Sequence, residues 1–408
     1  MSDPLPRSHS ERRSGALRSL EFWFDFSCPY AYLASTQVEA LAARARVELV
    51  LSPMLLGGVF RAWGTPQNLS NVLAEAEQRH AEADRRRFAT LFGVPLHMPS
   101  GHPIRTVEAL RVLLASPREH WLGLMHAFFR AYWVENRDVS SREVSAQVLA
   151  AQGLDAQEIL DRSKAPAVKS ELRRRTDQAI ELGIFGAPSF VVGAELYWGQ
   201  DRLEQVEKAL SGGSAPSGPL PRHESASRRG GAGWKCELFL DLSDPFAPLA
   251  IREIDRLGLS ARITPISLPP RAHNAAKERL RRSDLLRRSR EMGLEVAWER
   301  FSTSGSEVAN SLVWRSKDVD AGARLIASAQ GLDLADRNAV AHELGVDPKQ
   351  LEEGQGARVL AQERALASGV FASPTLVVTG PNSERALYAG ADRFFLARRV
   401  VEGELDFL

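Results

Sequence analysis

The stretch FDFSCPYAYLA, residues 24–34, joins an aromatic-rich run to a segment whose apolar residues recur at helical spacing. The run before it, LEFWFDF, is rich in aromatic residues and reads as a strand. Ser27-Cys28-Pro29 is a helix-start signal with proline in the first turn, and Ala31, Ala34, Val38 and Leu41 then share one face. A strand that ends in a helix start at a cysteine puts one thiol against a helix N-terminus. There the backbone N–H groups and the helix dipole favour the thiolate, so Cys28 is expected to be more acidic than a free cysteine. The bland reading of Cys28 is a small buried hydrophobe. A second cysteine three residues on would make a disulfide-forming pair, but Ala31 stands there. The other cysteine, Cys236, opens a strand-like run and is read as a core residue.

Working outward, VELVLSPML from Val47 supplies a second strand, and a short strand–helix–strand unit favours a parallel pair. A helical stretch follows from about residue 68 to 182, with Val107, Leu110, Leu113 and Leu114 in an apolar stripe. APSFVVGAELYWG then gives two strands around Gly193, a hairpin signal, and Leu203, Val206 and Leu210 line one face of a closing helix. The order β-α-β, helical insertion, β-β-α is that of a thioredoxin-like α/β architecture.

The chain repeats itself. EFWFDFSCPYAYLA from Glu21 matches ELFLDLSDPFAPLA from Glu237, pairing Asp25 with Asp241 and Cys28 with Asp244. ELGIFGAPSFVV matches LASGVFASPTLVV, pairing Pro188 with Pro374, and WGQDRL matches YAGADRF, pairing Asp201 with Asp392. Three blocks in one order imply a tandem duplication whose second copy is shorter in the middle. Residues 211–233 between them are rich in Gly, Ser and Pro and read as a flexible linker. The expected organisation is therefore a disordered leader at 1–17, a first domain at 18–210, the linker, and a degenerate second domain at 234–408. A carboxylate at Asp244 cannot perform thiol–disulfide exchange, so the second copy is expected to be catalytically dead. Its persistence suggests an intramolecular pseudo-dimer of the two copies.

Composition narrows the classes. The 408 residues suit two domains, and 52 Lys+Arg against 51 Asp+Glu leave no large field for nucleic acid. Arg85-Arg86-Arg87 and Arg173-Arg174-Arg175 lie among acidic residues in helix-like segments, as solvated faces do. No apolar run approaches the ~20 residues that cross a bilayer, and the first twenty residues lack the apolar core of a secretory signal. Two cysteines make no disulfide framework, and the cytoplasm is the expected compartment. His97 and His102 lack metal-ligand spacing and are read as loop residues; no metal site is expected.

FDFSCPYAYLA together with GIFGAPSFVVGAELYWGQDRLE resembles the DsbA-like thioredoxin-fold superfamily, nearest the 2-hydroxychromene-2-carboxylate isomerases and kappa-class glutathione transferases. In that branch a serine precedes the proline and faces the glutathione sulfur. In the redox members the first cysteine of CxxC stands there; Cys28 falls on the position and Ser27 is one residue early. The resemblance implies a cis-proline loop at Pro188, with the backbone of Ala187 pairing with glutathione or a peptide. It implies that Gln200 and Asp201 hold the γ-glutamyl end of glutathione, although Asp201 also suits an N-cap. LGGVFRAWGTPQN and DRRRFATLFGVPLHMPSGHPIRTVEALR resemble the loops and helix around that site, with Glu77 and Phe88 where the family often carries lysine and tryptophan.

Three functions follow. Cys28 could neighbour a glutathione thiolate in isomerisation or conjugation of a small aromatic electrophile. It could instead form a mixed disulfide that glutathione resolves. In the third reading the repeats form a non-enzymatic binding scaffold.

Overall fold

A computed structural model describes residues 19–68, 71–212, 233–268, 274–296, 306–329 and 332–405. The expected leader and nearly all of the expected linker lie outside these residues. The chain divides into two compact units, one of residues 1–68 and 92–222, the other of residues 69–91 and 223–408.

The first unit opens with β1 (Ser19–Phe24), α1 (Pro29–Ala45), β2 (Glu48–Pro53) and α2 (Leu56–Ala62). The next helix, α3 (Glu75–Phe92), counts with the second unit almost to its end. The chain then returns through α4 (Val107–Ala115), α5 (Trp121–Trp133), α6 (Arg142–Ala151), α7 (Ala156–Arg162) and α8 (Pro166–Glu181). It closes with β3 (Ser189–Val192), β4 (Glu195–Trp198) and α9 (Leu203–Leu210).

The sheet order is β2-β1-β3-β4. β1 pairs parallel with β2 and antiparallel with β3, so it sits in the middle. A central strand covered on both faces must be apolar throughout, which is why LEFWFDF carries rings at consecutive positions. Phe22 stacks on Phe24 at 5.1 Å and on Phe190 at 5.6 Å. Phe26 meets Phe128 and Phe129 of α5 at 5.2 and 5.1 Å, tying the insertion to the sheet. The β3–β4 hairpin turns at Gly193, whose φ of 61° lies in the left-handed region that glycine reaches without a Cβ penalty.

The second unit contains β5 (Lys235–Leu240), α10 (Ala247–Arg256), β6 (Ala261–Pro265), α11 (Ala275–Glu291), α12 (Ser306–Val313), α13 (Val319–Ser328), α14 (Arg337–Leu344), α15 (Leu351–Ala367), β7 (Thr375–Thr379), β8 (Arg385–Ala389) and α16 (Phe394–Val401). Its sheet order, β6-β5-β7-β8, and its pairing directions repeat those of the first. Phe239, Ile266, Ala361, Ala365, Val370 and Val377 form part of its core.

The excursion of α3 departs from the expected reading of residues 18–210 as one continuous body. Along β8, alternate residues turn their backbone groups away from β7. The Ala389 N–H donates to His80 Nε2 at 3.1 Å, and Arg87 donates to the Leu387 carbonyl at 2.9 Å. Helix α3 thus covers the outer edge of the second sheet, an exposed strand edge being a template for unwanted pairing. Phe88 and Arg87, both buried, pack there against Phe395 and Tyr388.

Candidate active site

Cys28 is the N-cap residue of α1, with extended φ and ψ of −98° and 115°, and Pro29 follows at N1. The turn before it is built on Asp25. The Cys28 N–H donates to the Asp25 carbonyl at 3.1 Å. The Asp25 carboxylate takes the Ser27 N–H at 2.9 Å and the Ser27 hydroxyl at 3.0 Å on Oδ1. The same oxygen receives the Thr106 hydroxyl at 2.5 Å, and Oδ2 receives the Leu56 N–H at 2.8 Å. One fully buried carboxylate therefore fixes the cysteine turn, the start of α2 and the start of α4. Burial pushes its acidity down, and the four donors partly offset that.

Facing Cys28, the Ala187–Pro188 bond is cis, as the sequence implied. The Cys28 thiol donates to the Ala187 carbonyl at 3.1 Å. The loop carrying Ala187 is braced on both sides: Trp63 donates to the Ile184 carbonyl at 2.9 Å, and Ser189 to the Gly186 carbonyl at 2.9 Å. Gly186 has no room for a side chain, since a Cβ would lie 2.7 Å from the Trp198 indole nitrogen.

The third element joins at Gly199, whose N–H donates to the Pro188 carbonyl at 3.0 Å. Its φ of 103° suits glycine, and a Cβ would fall 2.2 Å from Asp201 Oδ1. Gln200 is buried, and its Nε2 has no hydrogen-bond partner among the described residues. Asp201 pairs with Arg202 at 2.7 Å. Cys28, Ala187, Pro188, Gln200 and Asp201 are thus brought together through two hydrogen bonds, thiol to Ala187 carbonyl and Gly199 N–H to Pro188 carbonyl. Ala31 is fully buried at the position where a resolving cysteine would stand. Neither cysteine is in a disulfide.

His97 and His102 lie in the loop between α3 and α4, as expected. His102 Nδ1 lies 2.9 Å from the Tyr132 hydroxyl, and the His102–Pro103 bond is cis, which the sequence did not signal. No cluster of metal-ligating residues occurs among the described residues. The sequence reading missed Asp25 and Thr106 as site-builders. The signal was present, because Asp25 and Asp241 matched across the repeat.

The second unit copies this frame with altered chemistry. Asp241 accepts from the Ser243 N–H and hydroxyl at 3.0 and 2.7 Å, from Leu268 N at 3.2 Å, and from Asn310 at 3.0 Å. Ser373–Pro374 is cis, and Gly390 N–H donates to the Pro374 carbonyl at 2.8 Å. Asp244, at the cysteine position, accepts from the Phe246 N–H at 2.9 Å. Burial pushes its carboxyl up to about 6, against the pull of that N–H, Arg281 and Ser373.

The DSBA-like thioredoxin domain family matches residues 19–211. The 2-hydroxychromene-2-carboxylate isomerase of Sphingobium xenophagum is 28% identical over 193 residues, 47% of this chain and 98% of that protein. Glutathione S-transferase kappa 1 of Rattus norvegicus is 27% identical over 221 residues, 50% of this chain and 96% of that protein. A solved structure of a 2-hydroxychromene-2-carboxylate isomerase aligns with a TM-score of 0.42 at 24% identity, over 47% of this chain and 94% of its own. Residues 19–211 are a DsbA-like thioredoxin domain.

Proposed function

We propose that the first unit is a glutathione-dependent thiol enzyme acting through Cys28 as a monothiol oxidoreductase. The observation that carries this reading is the Cys28 thiol resting on the Ala187 carbonyl, at a helix N-terminus and beside the Gly199–Asp201 turn. A carbonyl facing the sulfur favours the protonated thiol, while the helix end favours the thiolate. A ligand whose backbone N–H takes over the Ala187 carbonyl releases the thiol to ionise. Substrate arrival and activation of the nucleophile are then one event.

In this chemistry the Cys28 thiolate attacks a substrate disulfide. A sulfur–sulfur bond to Cys28 forms, the original one breaks, and the departing thiolate takes a proton from solvent. With Ala31 in the resolving position, release requires a second thiol from solution. Glutathione fits that role here. The Gln200 Nε2 offers an unused buried donor to its α-carboxylate, and Asp201 offers an oxygen to its ammonium group while keeping Arg202.

A second reading, isomerisation or conjugation of a small organic electrophile beside the glutathione sulfur, is favoured by the names of the relatives. A non-enzymatic scaffold remains the alternative to both. No described helix is long and apolar enough to cross a membrane, and a reducing cytoplasm suits a monothiol enzyme. The matching sheets and cis-proline loops support a tandem duplication of one domain.

Calorimetric titration with glutathione, followed by mass spectrometry after exposure to oxidised glutathione, tests the proposal. Binding plus an adduct on Cys28 supports the redox enzyme. Binding with no adduct moves the assignment to the isomerase or transferase reading. No binding removes glutathione altogether and leaves the scaffold.

A further inference from the structure

The second unit is completed by a helix that the chain encodes within its first half. Helix α3 meets the second unit through side chains at i, i+4, i+7 and i+8, one face of a helix. His80 accepts from the outward-facing Ala389 N–H, and its ring meets Phe371 with centroids 5.3 Å apart. Asp84, buried, takes two hydrogen bonds from Arg393 at 3.0 and 3.3 Å. Arg87, also buried, lies 4.1 Å above the Tyr388 ring while bonding the Leu387 carbonyl. Phe88 lies under the Arg393 guanidinium at 5.5 Å and beside Phe395 at 6.4 Å.

Arg393 stands at the centre of this contact. It also pairs with Asp392 at 3.1 Å, and both belong to the turn that matches Gln200–Arg202 in the first unit. Asp84 therefore adds an anchor to this turn from a helix encoded early in the chain. A buried carboxylate and a partly buried guanidinium that satisfy each other are costly to separate, because the carboxylate is left with an unanswered charge.

We propose that α3 is a clasp helix: the edge strand β8 and the turn at Arg393 form a docking site whose occupant is residues 75–92 of this chain. The clasp binds as a helix in a groove and does not depend on the covalent connection through residues 213–232. The proposal is independent of Cys28 and of glutathione.

The test places a specific protease site within residues 213–232 of the full chain and cleaves it in the native state. The cut pieces are expected to elute together at the 44.9 kDa of the intact chain. Asp84→Arg, which sets two guanidinium groups against each other, should weaken their association at least about a hundredfold. Arg393→Asp should do the same, and the double exchange should recover most of the loss. Cys28 alkylation at the parental rate certifies that the first unit remains folded in each variant. Pieces that separate after cleavage of the parent overturn the proposal. So does an Asp84→Arg variant that associates as tightly as the parent, or a double exchange that recovers nothing.

Discussion

The sulfur of Cys28 and the carbonyl oxygen of Ala187 lie 3.1 Å apart, joined by a thiol hydrogen bond that spans 159 positions of sequence. The bond makes the nucleophile and the cis-proline loop one object. Its chemistry is readable against the second thiol in the chain.

Cys236 sits within β5, where burial pushes its thiol up to about 11. Cys28 has a helix end to stabilise its anion. Iodoacetamide at pH 7–8 should therefore modify Cys28 first, and Cys28→Ala should remove almost all native-state labelling. Equal or faster modification of Cys236 in the folded protein would contradict this ordering.

Asp25 satisfies two backbone N–H groups and two hydroxyls in the interior. Asp25→Ala should cost about 2–4 kcal/mol in denaturant unfolding, because Ser27 N–H and Leu56 N–H lose their acceptor without gaining water. Alkylation of Cys28 in that variant should lose its preference over Cys236 as the turn loosens. Asp25→Asn should be milder, since it keeps an acceptor oxygen.

His80 titrates with opposite consequences in and out of the fold. Burial holds it at about 4, with Asp84 and Asp392 pulling upward and Arg393 and Arg87 pushing downward. A depressed folded value means that the neutral ring stabilises the native state above the usual 6.5. That contribution falls away as pH drops from 6.5 and is gone below about 4. Its ceiling is on the order of 3–3.5 kcal/mol. Unfolding free energies at pH 7.5 and 4.5 should show a steeper acid loss in the parent than in His80→Gln. Parallel curves would remove His80 from the account.

Asp244 acts in the opposite sense. Its folded value of about 6 lies above the usual 3.8, so the protonated form suits the native state. Its contribution is fully present below 3.8 and is lost as pH rises through 6. Asp244→Asn should leave stability near pH 4 little changed and raise it at pH 8 by about 1–2 kcal/mol. A variant less stable than its parent at pH 8 would count against the buried-carboxyl account.

Much of the fold was legible because its signals are local. The rings of LEFWFDF, the Ser27-Cys28-Pro29 helix start and the Gly193 hairpin each depend on neighbours a few residues away. The proline at 188 was legible through its match to a known loop. What sequence could not supply was the owner of each apolar face. Residues 75–92 read only as part of a long helical stretch, and nothing in them says that Tyr388 and Phe395 will cover one side of α3. The Asp25 network was equally hidden, since Thr106 and Leu56 reach it through folded space. Asp201 shows the same limit, because its pairing with Arg202 depends on side-chain geometry.

The reach of α3 also sets an order of events during synthesis. The groups that receive Asp84 come 309 residues later in the chain. At 5–20 residues per second the ribosome needs roughly 15–60 s to make them. For that interval the helix has left the ribosome while the strand it covers has not been built. The first sheet can assemble on its own residues in that time, whereas the second must await both its last strand and a helix made long before. A truncated product ending before residue 385 would carry an α3 with nothing to cover, a natural mark for quality control to act on.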